Sequence, residues 1–393
     1  MPRVEEVFRH AEREIRRAAA GLWPDAAVRL GEHVPSVTGY VHRLHVDDRE
    51  LFAKYSVLGV SLVSLLRGAY GDWPQVRRMQ AAYILRPDAL LTREAAQLRF
   101  LGSLRRPQVC AVAGASCGVL FTEPVTGESL ARLLLARPHD AAELLGAAYN
   151  ELDCLHRPRS ARSLARHGVI DERSITGTFL RKFSGTGGAV YIDRLGAHPG
   201  SPAERDALVA VLHRVVARLR RDRTVMLAAD TRTVLAYGDL KPEHVLFPDG
   251  PAARPVFIDP GLLRAGPCTD AAKLISRTIL MLISHRPGQD TVKQVTEGLA
   301  MFAAAQVRAL PDEARDGWLR ELLALWLMDT INILSTYLSA PAELPIPTQG
   351  HRLVRRATAV CAMADAVSRD LAAGIDPRVV WERGLPLVQG AAL

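Results

Sequence analysis

Apolar and polar positions alternate through Val41–Val46 and again through Glu50–Tyr55, with the polar turn Asp47-Asp48-Arg49 between them. This pattern predicts a β-hairpin whose second strand ends at Lys54. Helical spacing replaces alternation in Leu91–Leu101, where Leu91, Ala95, Leu98 and Leu101 share one face. The intervening insert, residues 56–90, reads as two amphipathic helices, Leu58–Arg67 and Val76–Tyr83, with a break at Pro74. Further on, the apolar run at Val119 enters a turn with Pro124 and Gly127, and a helix is predicted from near Ser129. Two short apolar runs, Thr233–Ala236 and Pro255–Ile258, predict a strand-loop-strand hairpin, and Val245–Phe247 resumes the β pattern between them. Beyond residue 270 the chain reads as helices over Ala271–Ser284, Asp290–Ala309, Glu313–Leu338 and His351–Gly374. Arg159–Arg173 and Ser184–Pro202 read as long loops.

Composition narrows the setting. With 393 residues, 48% of them hydrophobic, the chain can bury two cores. No apolar run approaches the ~20 residues needed to cross a bilayer, and the first residues lack a signal peptide's apolar centre. A cytoplasmic protein without a membrane partner is expected. The five cysteines, at 110, 117, 154, 268 and 361, form no paired framework and read as free thiols. A net charge of +8 favours acidic partners. Nucleic acid is not expected among them, because the arginines are scattered through amphipathic helices such as Leu212–Asp222 with no aromatic-rich basic face.

The chemistry concentrates in Tyr237-Gly-Asp-Leu-Lys-Pro-Glu-His244 and in Ile258-Asp259-Pro-Gly261. A lone aspartate after a strand is usually a turn former. Here two of them, Asp239 and Asp259, follow apolar runs, and Lys241 lies within reach of a group bound beside Asp239. Phosphoryl transfer needs such an arrangement: one carboxylate orients the attacking hydroxyl, the other holds a divalent cation against the nucleotide phosphates, and a cation stabilises the moving group. Only five of the fifty basic residues are lysines, at 54, 182, 241, 273 and 293. A lysine at the strand position and another beside Asp239 therefore stand out, since a compact ammonium and a guanidinium fork are not interchangeable at phosphate.

Residues 234–277 resemble the catalytic core of the aminoglycoside phosphotransferase and protein-kinase-like superfamily. The resemblance extends over roughly 30–340, with strong motifs only in 237–270. It implies an α+β, two-lobed fold: a small N-lobe with an antiparallel sheet over 1–124, and a larger, mainly helical C-lobe over 125–393. It also implies ATP and Mg²⁺, with Asp239 as the catalytic-loop carboxylate, Lys241 beside the transferring phosphoryl, and Asp259 as the metal ligand. Lys54 would grip the α- and β-phosphates, with Glu94 pairing to it. Ser36, Thr38 and Gly39, in Pro35–Tyr40, occupy the place of the glycine-rich phosphate loop. Thr122, Glu123 and Val125 lie on the crossing strand that faces adenine. Asp270 matches a polar anchor, or else caps the helix that follows it. The sequence departs from the family where His244 replaces a metal-binding Asn, since imidazole is a softer donor than an amide oxygen and better suited to Mn²⁺ or Zn²⁺ than to Mg²⁺. Tyr237 replaces a His and Pro260 a Phe, so regulation by flipping that segment is not expected.

Asp-Leu-Lys-Pro-Glu is closer to the catalytic loop of Ser/Thr protein kinases than to that of small-molecule kinases, and favours a peptide acceptor. Val37–Val41, Ala53–Ser56 with the following Leu62–Gly68, and Tyr237–Phe247 are similar to the kinase subunit of class V lanthipeptide synthetases. Such subunits phosphorylate Ser or Thr of a precursor peptide, and a separate lyase then eliminates the phosphate. A small-molecule kinase acting on aminoglycosides or sugars, and a non-catalytic pseudokinase scaffold, are the alternatives.

Overall fold

The computed structural model describes residues 1–166, 170–185, 188–193, 195, 200–226, 234–266 and 268–393. Thr233, and parts of the two predicted loops, lie outside them. The N-terminal lobe is built on a five-stranded antiparallel sheet in the order β1 (Val28–Val34), β2 (Tyr40–Val46), β3 (Arg49–Tyr55), β6 (Val119–Thr122), β5 (Val112–Ser116). The predicted hairpin is β2–β3, with Val41 opposite Lys54. Strand alternation sends Leu51, Ala53 and Tyr55 to one face, where α1 (Val4–Leu22) covers them with Val7, Ala11, Ile15 and Ala18. Lys54 points to the other face. There α4 (Leu90–Gly102) packs Leu91, Ala95 and Leu98 against Leu120 of β6, and so brings Glu94 to the lysine. Neither α1 nor β1 was among the predicted elements.

The insert holds two helices, α2 (Leu62–Leu66) and α3 (Trp73–Tyr83). Pro74 starts α3 rather than breaking a helical run: it sits in the first turn, where no amide hydrogen is required, and Asp72 caps that turn by accepting from Gln75 N at 2.9 Å. Gln80 of α3 donates to the Tyr55 hydroxyl at 3.1 Å, and His10 of α1 meets the same hydroxyl at 3.1 Å. The strand end behind Lys54 is thus held from two sides. The chain leaves β6 through Glu123–Gly127, adds β7 (Glu128–Ser129), and enters α5 (Leu130–Ala136) with Ser129 as its cap.

In the helical lobe the predicted strand-loop-strand hairpin does not form. β8 (Val234–Ala236) pairs with β11 (Leu263–Ala265), while β10 (Val256–Phe257) pairs with β9 (Val245–Phe247) and, in parallel, with β4 (Gln108–Val109). Asp239 and Asp259 therefore meet through two interlocked pairings, not across one ladder. The long helices Thr269–His285, Gln289–Val307 and Asp312–Leu338 carry the core. The predicted His351–Gly374 helix is two, Thr348–Arg355 and Ala357–Ala372, and an unpredicted helix, Pro377–Ala392, follows. Within the expected loops, Pro158–Arg166 is α-helical and Ala189–Asp193 forms a π-helical turn. No helix among the described residues is long and apolar enough to cross a membrane.

Candidate active site

The loop bearing Asp239 is fixed by buried polar contacts on both sides. Tyr237 is fully buried, and its hydroxyl donates to Ile258 O at 2.9 Å, tying this loop to the one bearing Asp259. Gly261 N donates to Tyr237 O at 2.9 Å as a second tie. From below, Asp270 accepts from Tyr237 N at 2.7 Å and Gly238 N at 2.8 Å, while His156 Nε2 lies 2.9 Å away. Asp270 is the second residue of its helix and Cys268 precedes the helix, so Asp270 is a loop anchor and not the cap that sequence equally allowed. Gly238 has φ +87°, and a Cβ there would lie 2.0 Å from Gly261 O. Gly238→Ala is expected to destabilise the protein by about 2–3 kcal/mol. Denaturant unfolding checks this; a loss below about 1 kcal/mol would mean that the two loops separate freely.

Asp239 itself sits among cations. Lys241 Nζ is 2.7 Å from Oδ2, Lys273 Nζ is 3.5 Å from Oδ1, and His244 Nδ1 is 3.8 Å from Oδ2. Burial pushes this carboxyl up, but the Lys241 and Lys273 ammoniums outweigh it and hold Asp239 well below the usual carboxylate range. Asp259 occupies the left-handed region at φ +56°, a conformation costly for a residue with a Cβ and typical of functional loops. Lys54 donates to Asp259 Oδ1 and, at 2.7 Å, to Glu94 Oε1. Against burial, Lys54 and then His244 bring Asp259 down to about 2. Gln97, one turn beyond Glu94, accepts from Leu262 N at 2.9 Å. One helix thus positions the lysine through Glu94 and latches the Asp259 loop through Gln97.

His244 stands between the two aspartates, its Nε2 3.6 Å from Asp259 Oδ2. Burial, reinforced by Lys241, pushes the imidazole down to about 4, so it is neutral near pH 7. Its buried Nδ1 has no hydrogen-bond partner among the described residues. A carboxylate oxygen beside a neutral imidazole nitrogen is a donor pair that fits a divalent cation. No cluster of three or more His, Cys, Asp or Glu side chains in metal-holding geometry occurs among the described residues. An ion held by this pair would take its other ligands from phosphate oxygens and water.

The remaining predicted residues are less converged. The Ser36 and Thr38 hydroxyls bond each other at 3.2 Å in the β1–β2 turn, and Gly39 packs over Tyr55 O at the end of β3. Thr122 is buried within the sheet. The Glu123 amide donates to Ala111 O at 2.9 Å, and its carboxylate pairs with Arg49 of the hairpin at 2.5 Å, so its side chain is committed away from the cleft. Val125 packs with Ile258 on the apolar patch beneath α4. Sequence reasoning missed Lys273, Arg277 and Asp329 as site residues. Lys273 Nζ is 2.8 Å from Asp329 Oδ1, and Asp329 also accepts from Ser276 Oγ at 2.9 Å and forms an ion pair with Arg277. One signal was available: a single aspartate inside the apolar run Leu322–Ile331 needs a buried partner.

Neither a protein-family model nor a curated protein matches the chain. Among solved structures, the choline kinase of Cryptosporidium parvum Iowa II is similar over 96% of this chain and 99% of its own, at 10% identity and a TM-score of 0.51. An aminoglycoside-3'-phosphotransferase of type VIII matches 82% of this chain and 99% of its own, at 22% identity and 0.46. An ethanolamine kinase of Plasmodium vivax matches 88% and 83%, at 13% identity and 0.45. The likeness to the choline kinase establishes a common fold, an antiparallel-sheet lobe joined to a mainly helical one.

Proposed function

We propose that this chain is an ATP-dependent phosphotransferase that moves the γ-phosphate to a hydroxyl, and that the acceptor is Ser or Thr of a precursor peptide in lanthipeptide-type biosynthesis. The observation that carries the transferase reading is the convergence of Asp239 and Asp259 on either side of His244 with three ammoniums, those of Lys54, Lys241 and Lys273. Lys54, kept in place by Glu94, grips the nucleotide phosphates. Asp259 and His244 would hold a divalent cation, Mg²⁺ or Mn²⁺, whose charge offsets that of the β- and γ-phosphates. Asp239 stays ionised, accepts the hydroxyl's hydrogen bond and aims its oxygen at phosphorus. So acidic a carboxyl is a weak base, which suits a loose transition state where the proton moves late. Lys241 stabilises the phosphoryl group in flight.

The charge around the acceptor side supports a peptide over an aminosugar or a quaternary amine. Lys241, Lys273 and Arg277 lie behind Asp239. Glu172, whose amide donates to Leu262 O at 2.7 Å, brings a second cationic group to the Asp259 loop. Arg93 pairs with Glu172, whereas the exposed Arg173 and Arg181 have no salt bridge among the described residues. Such a field repels polycationic acceptors and attracts a neutral or acidic peptide. The reading requires a separate lyase to eliminate the phosphate.

The test offers ATP with Mg²⁺ or Mn²⁺ and a panel of acidic Ser/Thr peptides, aminoglycosides and choline, read by mass spectrometry. Phosphopeptide is the expected product. Phosphorylation of aminoglycosides or choline alone would replace the peptide reading with a small-molecule kinase. Nucleotide binding with transfer to no acceptor and no water would leave a scaffold.

A further inference from the structure

Under the proposed chemistry, Lys241 has two tasks that compete for one ammonium. It lies 2.7 Å from Asp239 Oδ2, yet stabilising a phosphoryl group requires its ammonium to turn toward the nucleotide. If it left with nothing in its place, Asp239, whose side chain is about one-third exposed, would lose its nearest counter-ion. Lys273 stands at the other carboxylate oxygen, 3.5 Å from Oδ1, at the outer limit of a hydrogen bond and close enough to shorten. Its ammonium is buried and braced from behind by Asp329. Asp329 keeps Ser276 and Arg277 on its Oδ2, and Arg277 Nη2 lies 3.3 Å from the Oδ1 that Lys273 holds, so Asp329 retains partners if Lys273 closes on Asp239.

We infer that Lys273 is a positioning residue that takes over as the counter-ion of Asp239 when Lys241 turns to the transferring phosphate. The charges are consistent with such a hand-over. With Lys241 in place, three cations (Lys241, Lys273, Arg277) face two carboxylates (Asp239, Asp329). Once Lys241 is committed to phosphate, the remaining two cations and two carboxylates are neutral. Asp239 then stays ionised and oriented throughout transfer, and the surplus positive charge goes to the phosphoryl group that needs it. A lysine suits this position because one compact ammonium can bond two carboxylates lying on different sides of it.

The inference rests on the phosphotransferase reading, so the wild type is measured beside the variants. The probe is ATP turnover with Mg²⁺ on a Ser-containing peptide that the wild type phosphorylates, or on water if none is found. Lys273→Met is expected to lower kcat by about 10²-fold while KM for ATP stays within about threefold. Lys273→Arg, which keeps the charge, is expected to recover at least about tenfold of that loss. An unchanged kcat in Lys273→Met, or a raised KM with kcat intact, would overturn the inference. So would an Arg variant that binds ATP normally and turns over no faster than the Met variant. Should the Met variant not fold, the Arg variant decides: about 10²-fold loss with ATP binding intact counts against a role carried by charge. Absence of any wild-type turnover would instead sink the phosphotransferase reading itself.

Discussion

Asp239→Asn is expected to lower turnover by about 10³-fold or more while ATP binding stays within about threefold of wild type. The substitution is isosteric and leaves the anchored backbone of the loop untouched, since that is held through Tyr237 and Gly238 and not through the Asp239 side chain. What disappears is the negative charge that Lys241 and Lys273 face and that, under the proposed function, would receive the acceptor's proton. Nucleotide binding should survive because Lys54 pairs with Glu94 and Asp259 and not with Asp239. Steady-state rates together with titration of a fluorescent nucleotide check both halves. Normal turnover would remove Asp239 from the chemistry, and an equal loss of nucleotide affinity would make it a structural residue.

Asp270→Ala is expected to cost about 3–5 kcal/mol of stability, a large part of a typical domain's total. The side chain is 1% exposed and accepts two backbone amides that water cannot reach once it is gone. His156 loses its partner as well. Asp270→Asn keeps only one acceptor oxygen and is expected to fall between wild type and alanine. Chemical denaturation of the three proteins decides the matter: a loss below about 1 kcal/mol for alanine would show that the loop is held elsewhere.

Most of the residues that form the site were legible in the chain because their signals are local. Alternation in β3 already separates Lys54 from Ala53 and Tyr55, and helical spacing in α4 sets Glu94 apart from Leu91, Ala95 and Leu98. Short apolar runs mark the loops on which Asp239 and Asp259 ride. Other elements were readable in principle: Val7, Ala11, Ile15 and Ala18 have the four-four-three spacing of a buried helical stripe. Hairpin logic failed for β8 and β10, because runs of three and two residues carry too little pattern to choose a partner.

The order of side chains along the chain was sufficient to single out Lys54, Glu94, Asp239, Lys241, His244 and Asp259 as candidate site residues, and it sets on which face of strand or helix Lys54 and Glu94 stand, because side-chain direction repeats every two or about 3.6 residues. Only the tertiary structure decided that Asp270 grips the catalytic loop and that Lys273, braced by Asp329 from another helix, stands behind Asp239. Such pairings join residues 32 to 56 positions apart. They are set by how helices pack around a shared core, which no local period encodes.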